Sequence, residues 1–132
     1  MSEPDYYHCA EEKAALSIQK IGFRAAPSKK ERAGYFLEFW NEFSVSERIK
    51  VNGLWSPDNE APFLDAAAKA WDKRFKRGTV IWLSEDSDMT YGPYCFRFTP
   101  PAGTIFSRSV AGPYWLAFVP MRVIPPKYFE LL

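Results

Sequence analysis

The sequence offers few side chains of the kinds that usually do chemistry, since its 132 residues include one histidine and two cysteines. His8 and Cys9 are neighbours near the start of the chain, and Cys95 lies far from both in sequence. Four Cys or His ligands for a structural zinc ion cannot be assembled from this set, so we expect no metal. Two cysteines form neither a disulfide scaffold nor a Cys-x-x-Cys pair, and we therefore expect reduced thiols.

Motifs of several common enzyme classes do not occur in the sequence. The seven glycines form neither the dinucleotide-binding fingerprint nor the phosphate-binding loop, and there is no Gly-x-Ser-x-Gly elbow. The acidic run at residues 84–88 lacks the spacing of an EF-hand loop and is typical of a solvated turn. A serine or cysteine nucleophile paired in space with His8 remains open, because a sequence does not show spatial pairs.

Aromatic residues make up 17% of the chain, enough to build a core and also to line a site for a flat heterocycle. The 17 basic and 16 acidic residues nearly cancel, which argues against a protein that holds duplex nucleic acid through its phosphates. Five basic residues cluster at one predicted helix end, where they suit the helix dipole as well as a nucleic acid or a pyrophosphate: Lys69, Lys73, Arg74, Lys76 and Arg77.

No apolar stretch of the sequence is long enough to cross a bilayer, and the first residues carry no basic and apolar leader. We therefore expect no membrane partner. The expected location is the cytoplasm, or wherever a route other than the Sec system delivers the protein.

Hydrophobic periodicity predicts helices in the first half of the chain. A helix at residues 11–21 follows a β-favouring run at residues 5–9, ends at Gly22 and carries Ala14, Leu16, Ile18 and Ile21. A capping box at Ser28-Lys29-Lys30-Glu31 begins a second helix with the apolar stripe Phe36, Phe39, Trp40 and Phe43. A third helix, capped by Asp58 or Asn59 and ended by Gly78, buries Phe63, Ala67, Trp71 and Phe75.

The second half of the chain alternates with the period of strands, which are predicted at residues 79–84, 94–99, 104–107, 114–119 and on either side of Pro125-Pro126. Residues 45–57 have a mixed pattern and are predicted to connect two helices, with one short helical turn. Helices that precede strands, after one opening strand, make the fold class α+β. A single domain is expected to span residues 1–132.

Three segments of the sequence form an ordered pattern. The first is Tyr6-Tyr7-His8-Cys9-Ala10, followed by a helix and Gly22-Phe23-Arg24. The second covers residues 78–86 and runs on to Tyr91-Gly92, and the third is residues 115–119 with the tail at residues 123–128. In order and spacing they resemble the ADP-ribosyltransferase superfamily, especially its poly(ADP-ribose) polymerase-like and DarT-like branches with the His-Tyr-Glu pattern, which open with Tyr-His-x-Thr, a helix and Gly-Phe.

The resemblance implies an ADP-ribosyltransferase-like fold, a split antiparallel sheet with helices mainly in the N-terminal half. It also implies that NAD is the substrate and that no metal takes part. His8 would bond a ribose hydroxyl of NAD, and the backbone of Cys9 would meet the nicotinamide carboxamide. Tyr91, or alternatively Tyr94, would stack on the nicotinamide ring, with Trp82 as the opposing wall.

The family's catalytic glutamate is the point at which this sequence departs from the pattern. The alignment of the tail places Trp115 at that position, and no acidic residue occurs between Asp88 and Glu130. In the family the carboxylate supports a positively charged transition state, and loss of such support typically costs a factor on the order of a hundred. The departure rules out polymer formation and leaves the transfer of single ADP-ribose units as the expected activity. Glu85 or Asp86 could supply a carboxylate in place of the missing one.

The resemblance implies a mono-ADP-ribosyltransferase or NAD glycohydrolase-like protein that acts on a macromolecular target, protein or nucleic acid, as a toxin, phage or effector protein would. Two other interpretations remain open. One is a non-catalytic relative that binds NAD or ADP-ribose, which the bulky Trp115 favours. The other is an inhibitor-type or immunity-type α+β domain whose exposed aromatic residues and prolines bind a protein.

Overall fold

The computed structural model describes residues 5–87, 92–109 and 114–132. The chain forms two compact units. In the described residues, one unit (Met1–Ala25 with Arg77–Leu132) contains a six-stranded sheet and one α-helix, and the other (Ala26–Lys76) contains three α-helices. The predicted α+β class is confirmed.

The sheet unit is built from β1 (Tyr6–Ala10), β2 (Thr79–Ser84), β3 (Tyr94–Phe98), β4 (Ile105–Arg108), β5 (Tyr114–Val119) and β6 (Phe129–Leu131). All neighbours pair antiparallel, in the order β4-β5-β2-β1-β3-β6. Five register pairs join β1 to β3 and six join β2 to β5, whereas β1 and β2 share the single pair Tyr7 and Ser84. The sheet is therefore divided at its middle into two halves of three strands.

Side chains alternate along each strand, so the two faces of the sheet carry different residues. On the face that we call the aromatic face, Tyr6 and Trp115 pack against a buried core of Ile81, Leu83, Phe98, Ala117, Val119 and Ile124. His8 lies two residues beyond Tyr6 and shares this face. The opposite face, which we call the disulfide face, carries Tyr7, Cys9 and Trp82.

A disulfide bond joins Cys9 to Cys95. The prediction of reduced thiols is therefore wrong. The two residues are distant in sequence, but β1 and β3 are neighbours and place them directly opposite each other. Side chains opposite each other in an antiparallel pair lie close enough to be linked, and only the register of the strands reveals this.

The helix α1 (Glu12–Ile21) packs on the aromatic face through Ala15 and Ile18. The predicted apolar stripe of this helix is wrong apart from Ile18, because its other members, Ala14, Leu16 and Ile21, are exposed. The helix meets the sheet through an i, i+3 pair, so a narrow strip of it is buried. Gly22 ends the helix as predicted, with φ at 99° and its N–H bonded to the carbonyl of Ile18.

The helical unit contains α2 (Lys29–Glu38), a 3-10 turn (Trp40–Glu42), α3 (Val45–Asn52) and α4 (Ala61–Phe75). The predicted capping box is confirmed, since Ser28 Oγ accepts a hydrogen bond from the Glu31 N–H at 3.2 Å and Glu31 Oε1 accepts one from the Ser28 N–H at 3.3 Å. The second helix is shorter than predicted, because the chain leaves the α-helical path after Glu38 and tightens into the 3-10 turn.

The helix α3 lies in the segment that was predicted to connect two helices, so that prediction is wrong. Ser44 Oγ accepts a hydrogen bond from the Glu47 N–H at 3.2 Å and caps the helix. The pattern Ser-x-x-Glu at Ser44 to Glu47 is the same signal that identified α2. The helix could therefore have been predicted from this segment.

Aromatic rings form the core of the helical unit. The predicted stripe of α4 is confirmed, because its members are buried: Phe63, Ala67, Trp71 and Phe75. The Phe39 ring centre lies 5.4 Å from that of Trp71, and the Phe43 ring centre lies 5.7 Å from that of Phe75. Such ring pairs stabilise the unit beyond the burial of their area.

Candidate functional site

A carboxylate, a guanidinium and an indole meet at one end of the aromatic face, and we call this group the Glu85 cluster (Glu85, Arg108 and Trp115). Trp115 Nε1 donates a hydrogen bond to Glu85 Oε1 at 2.8 Å, and Arg108 Nη1 donates one to the same oxygen at 2.7 Å. The Arg108 guanidinium also lies 5.0 Å from the centre of the Trp115 ring. Trp115 on β5 thus holds a glutamate from another segment of the chain.

The strand register explains why these three residues meet. Arg108 and Trp115 are direct partners across β4 and β5, and Trp115 is also the partner of Leu83 on β2. Glu85 lies two residues after Leu83, just beyond the end of β2. The Trp115 indole on β5 and the Arg108 guanidinium on β4 therefore extend toward the Glu85 carboxylate, which follows β2.

Both donors hold the pKa of the Glu85 carboxyl below its usual range. The hydrogen bond from Trp115 is the larger cause, followed by the hydrogen bond and the positive charge of Arg108, while partial desolvation of the carboxyl opposes them. The side chain of Glu85 is 41% exposed. The cluster therefore presents an ionised carboxylate that a ligand in solution can reach.

Aromatic rings from two strands, β1 and β4, hold the Trp115 indole in place. Tyr6 stacks on Phe106 with ring centres 4.8 Å apart, and each of these rings meets Trp115 edge-on, at 6.1 Å and 6.3 Å. This packing fixes the plane of the indole and hence the direction in which its N–H points. The donor that binds Glu85 is thus preorganised by apolar contacts.

His8 lies on the same face as Tyr6, where β1 and β2 separate. Its Nδ1 is 2.9 Å from the carbonyl oxygen of Trp82, and its ring packs edge-on against Phe23 at 5.0 Å. Burial lowers the pKa of His8 from its ordinary value, and the bond to the Trp82 carbonyl opposes this effect. A carbonyl only accepts, so the neutral ring carries its proton on Nδ1 and presents Nε2 as an acceptor.

The backbone of Cys9 points toward the division of the sheet. Leu132 donates its N–H to the Cys95 carbonyl at 3.0 Å, so the peptide groups of Cys95 face β6 and not β1. Cys9 and Cys95 are therefore a non-hydrogen-bonded pair of the ladder, and the N–H and C=O of Cys9 face β2 instead. The register between β1 and β2 does not extend as far as Cys9.

The predicted aromatic residues of the site, Tyr94, Trp82 and Tyr91, do not all lie beside His8. Tyr94 is the register partner of Ala10 and lies on the same face as His8, with a partly exposed ring. Trp82 contributes its carbonyl beside His8, but its indole extends from the opposite face of the sheet and is not brought together with the His8 ring. Tyr91 lies outside the described residues.

Arg108 is the residue of this group that the sequence did not single out. The sequence gives little indication that Arg108 belongs to a site, because an arginine at the end of a short strand is usually solvated. Only the pairing of β4 with β5 shows that its side chain lies across Trp115. The disulfide was missed for the same reason.

The described residues contain no group of three or more His, Cys, Asp or Glu side chains that could hold a metal ion. Within the same residues, no helix is both long enough and apolar enough to cross a membrane.

Comparison of the chain with known proteins gives no match to a family model, to a curated protein or to a solved structure. The resemblance to the ADP-ribosyltransferase superfamily therefore rests on the three sequence segments alone.

Proposed function

We propose that this protein consumes NAD as a mono-ADP-ribosyltransferase or an NAD glycohydrolase, on an ADP-ribosyltransferase-like fold. The observation that carries the proposal is the bond from Trp115 to Glu85 at 2.8 Å. It supports the view that a carboxylate from another segment replaces the missing glutamate of the family. The division of the sheet between β1 and β2 also supports the proposal, because the split sheet was expected from the resemblance.

The proposed binding mode uses three groups of the sheet unit. His8 Nε2 accepts a hydrogen bond from a ribose hydroxyl, which a neutral histidine with its proton on Nδ1 can do. The N–H and C=O of Cys9 bond the carboxamide of nicotinamide, since a backbone donor and acceptor side by side match an amide. Tyr91 or Tyr94 stacks on the nicotinamide ring.

In the proposed reaction, the ionised Glu85 accepts a hydrogen bond from a hydroxyl of the nicotinamide ribose and stabilises the positive charge that develops on that sugar. The bond between the ribose and nicotinamide breaks, and its electron pair leaves with the nicotinamide nitrogen. A nucleophile of the acceptor, or water, forms the new bond to the same carbon and gives its proton to solvent.

Nicotinamide release and calorimetric NAD binding test the proposal on wild-type protein and three variants. We expect wild type to bind and to release nicotinamide, His8→Ala to lose binding, and Glu85→Gln to bind but release nicotinamide at least 100-fold more slowly. Glu130→Gln is the matched control, because this exposed carboxylate on β6 pairs with Arg97 away from the cluster. Binding without release in wild type would support the non-catalytic relative, and no binding would overturn the proposal.

Location and target belong to the same proposal. A cytoplasmic protein and one delivered by a non-Sec route are both compatible with the sequence. The Cys9–Cys95 bond favours the second, because disulfides persist in oxidising surroundings. The acceptor is a macromolecule, protein or nucleic acid.

Protein binding is the second candidate function, and an exposed apolar patch on the helical unit favours it. Val45 and Ile49 lie one turn apart on α3 with 61% and 69% of their surface exposed, and Leu54 and Trp55 are also exposed. Trp40, Val45, Arg48, Ile49 and Asn52 line a surface hollow of about 260 Å³. Apolar residues grouped in this way on a surface often mark a site for a protein partner.

A further inference from the structure

We propose that Arg108 is a positioning residue, which fixes the Glu85 carboxylate so that one defined oxygen meets the substrate. This inference rests on the proposed function and adds a residue to it. Arg108 does not touch NAD in this scheme. It acts through Glu85.

The hydrogen bonds of the cluster carry the inference. Trp115 and Arg108 both donate to Oε1 of Glu85, at 2.8 Å and 2.7 Å. Two donors hold Oε1 in place and leave Oε2 as the oxygen that accepts from the ribose hydroxyl. A carboxylate held by the indole alone would keep one of these two bonds and would be held less firmly.

The shape of the guanidinium suits this role better than a lysine would. Arg108 lies over the Trp115 ring at 5.0 Å while it pairs with Glu85, so one flat group contacts both of its partners. A lysine ammonium can pair with the carboxylate, but it lacks the planar group that can stack on the Trp115 ring and pair with Glu85 at the same time. We therefore expect Arg108→Lys to restore part of what Arg108→Gln loses.

Among the described residues, Arg108 is the cation that contacts the Glu85 carboxylate. Arg108 approaches it from β4, Tyr6 of β1 contacts the Trp115 ring, and Asp86 is its neighbour in sequence. Arg108 is the cation of this set. Its removal is therefore expected to raise the pKa of Glu85 toward the ordinary value.

The test compares wild type, Arg108→Gln, Arg108→Lys and the matched control Arg97→Gln, which removes an arginine from the disulfide face. Two quantities are measured: kcat and KM for nicotinamide release, and the carbon-13 titration of the Glu85 carboxyl, assigned with Glu85→Gln. We expect Arg108→Gln to lower kcat about tenfold with KM for NAD unchanged and to raise the pKa of Glu85. Arg108→Lys should fall between this variant and wild type, and Arg97→Gln should match wild type.

Unchanged kcat and an unchanged Glu85 titration in Arg108→Gln would overturn the inference. So would equal losses in the Gln and Lys variants that come with a lower melting temperature, since these would indicate a structural role. If wild type releases no nicotinamide, the proposed function fails. The carboxyl titration would still decide whether Arg108 controls Glu85.

Discussion

At the scale of single residues, the indole N–H of Trp115 is the group that makes the cluster possible. Trp115→Phe keeps an aromatic ring against Tyr6 and Phe106 but removes the donor to Glu85. We expect the pKa of Glu85 to rise, nicotinamide release to slow about tenfold and the melting temperature to change little. Trp82→Phe is the matched control, because Trp82 is exposed on the other face. Slow nicotinamide release by Trp82→Phe, or release at the wild-type rate by Trp115→Phe, would contradict the role of the indole N–H.

His8 gives a prediction on pH dependence. Its pKa in the folded protein lies below the ordinary value of 6.5, so the folded state binds fewer protons than the unfolded state. The free energy of unfolding is therefore expected to be constant above about pH 6.5 and to fall as the pH drops from there toward the lowered pKa. NAD binding should weaken only below that lowered pKa, where Nε2 gains a proton and no longer accepts.

Chemical denaturation and calorimetry between pH 5 and 8 measure both curves. His8→Asn is the comparison, because its amide does not titrate. The free energy of unfolding of His8→Asn should lack the fall below about pH 6.5 that we attribute to His8. An identical pH dependence in the two proteins would show that another group is responsible.

At the scale of secondary structure, the disulfide links the two strands that orient the backbone of Cys9. Cys9→Ser/Cys95→Ser is expected to lower the free energy of unfolding by about 2 to 5 kcal/mol. It should also weaken NAD binding, because β1 and β3 can then separate beside His8. Denaturation with and without a dithiol reductant measures the first effect. The reductant should destabilise wild type as much as the mutations do, and it should leave the double variant unaffected.

Two glycines provide a matched pair of substitutions. Gly22 has φ at 99°, and a Cβ there would clash with the carbonyl oxygen of Ile124. Gly34 lies inside α2, and a Cβ there would meet nothing within 4 Å. We expect Gly22→Ala to destabilise the protein by more than about 1 kcal/mol and Gly34→Ala to stabilise it by roughly 0.5 to 1 kcal/mol. Equal effects in thermal denaturation would contradict the assignment of the α1 end.

Local signals explain which elements could be predicted from the sequence. The capping box at Ser28, the stop at Gly22 and the four-residue spacing on α4 each depend on neighbours along the chain, and all three were predicted correctly. The disulfide and the Glu85 cluster depend on strand register instead. A sequence does not fix which residues of two strands lie opposite each other, so the contacts of Arg108 could not be predicted.

At the scale of the whole molecule, the proposed chemistry lies in the sheet unit and the exposed apolar patch lies on α3 of the helical unit. If the patch recognises a protein acceptor, Val45→Ser/Ile49→Ser should stop the labelling of acceptor proteins with tagged NAD. Nicotinamide release in the absence of acceptor should stay unchanged, because it needs only the Glu85 cluster and the NAD-binding groups. Leu16→Ser/Ile21→Ser, on the exposed side of α1, is the matched control and should label acceptors as wild type does. Normal labelling by the α3 variant would show that the patch does not select the acceptor.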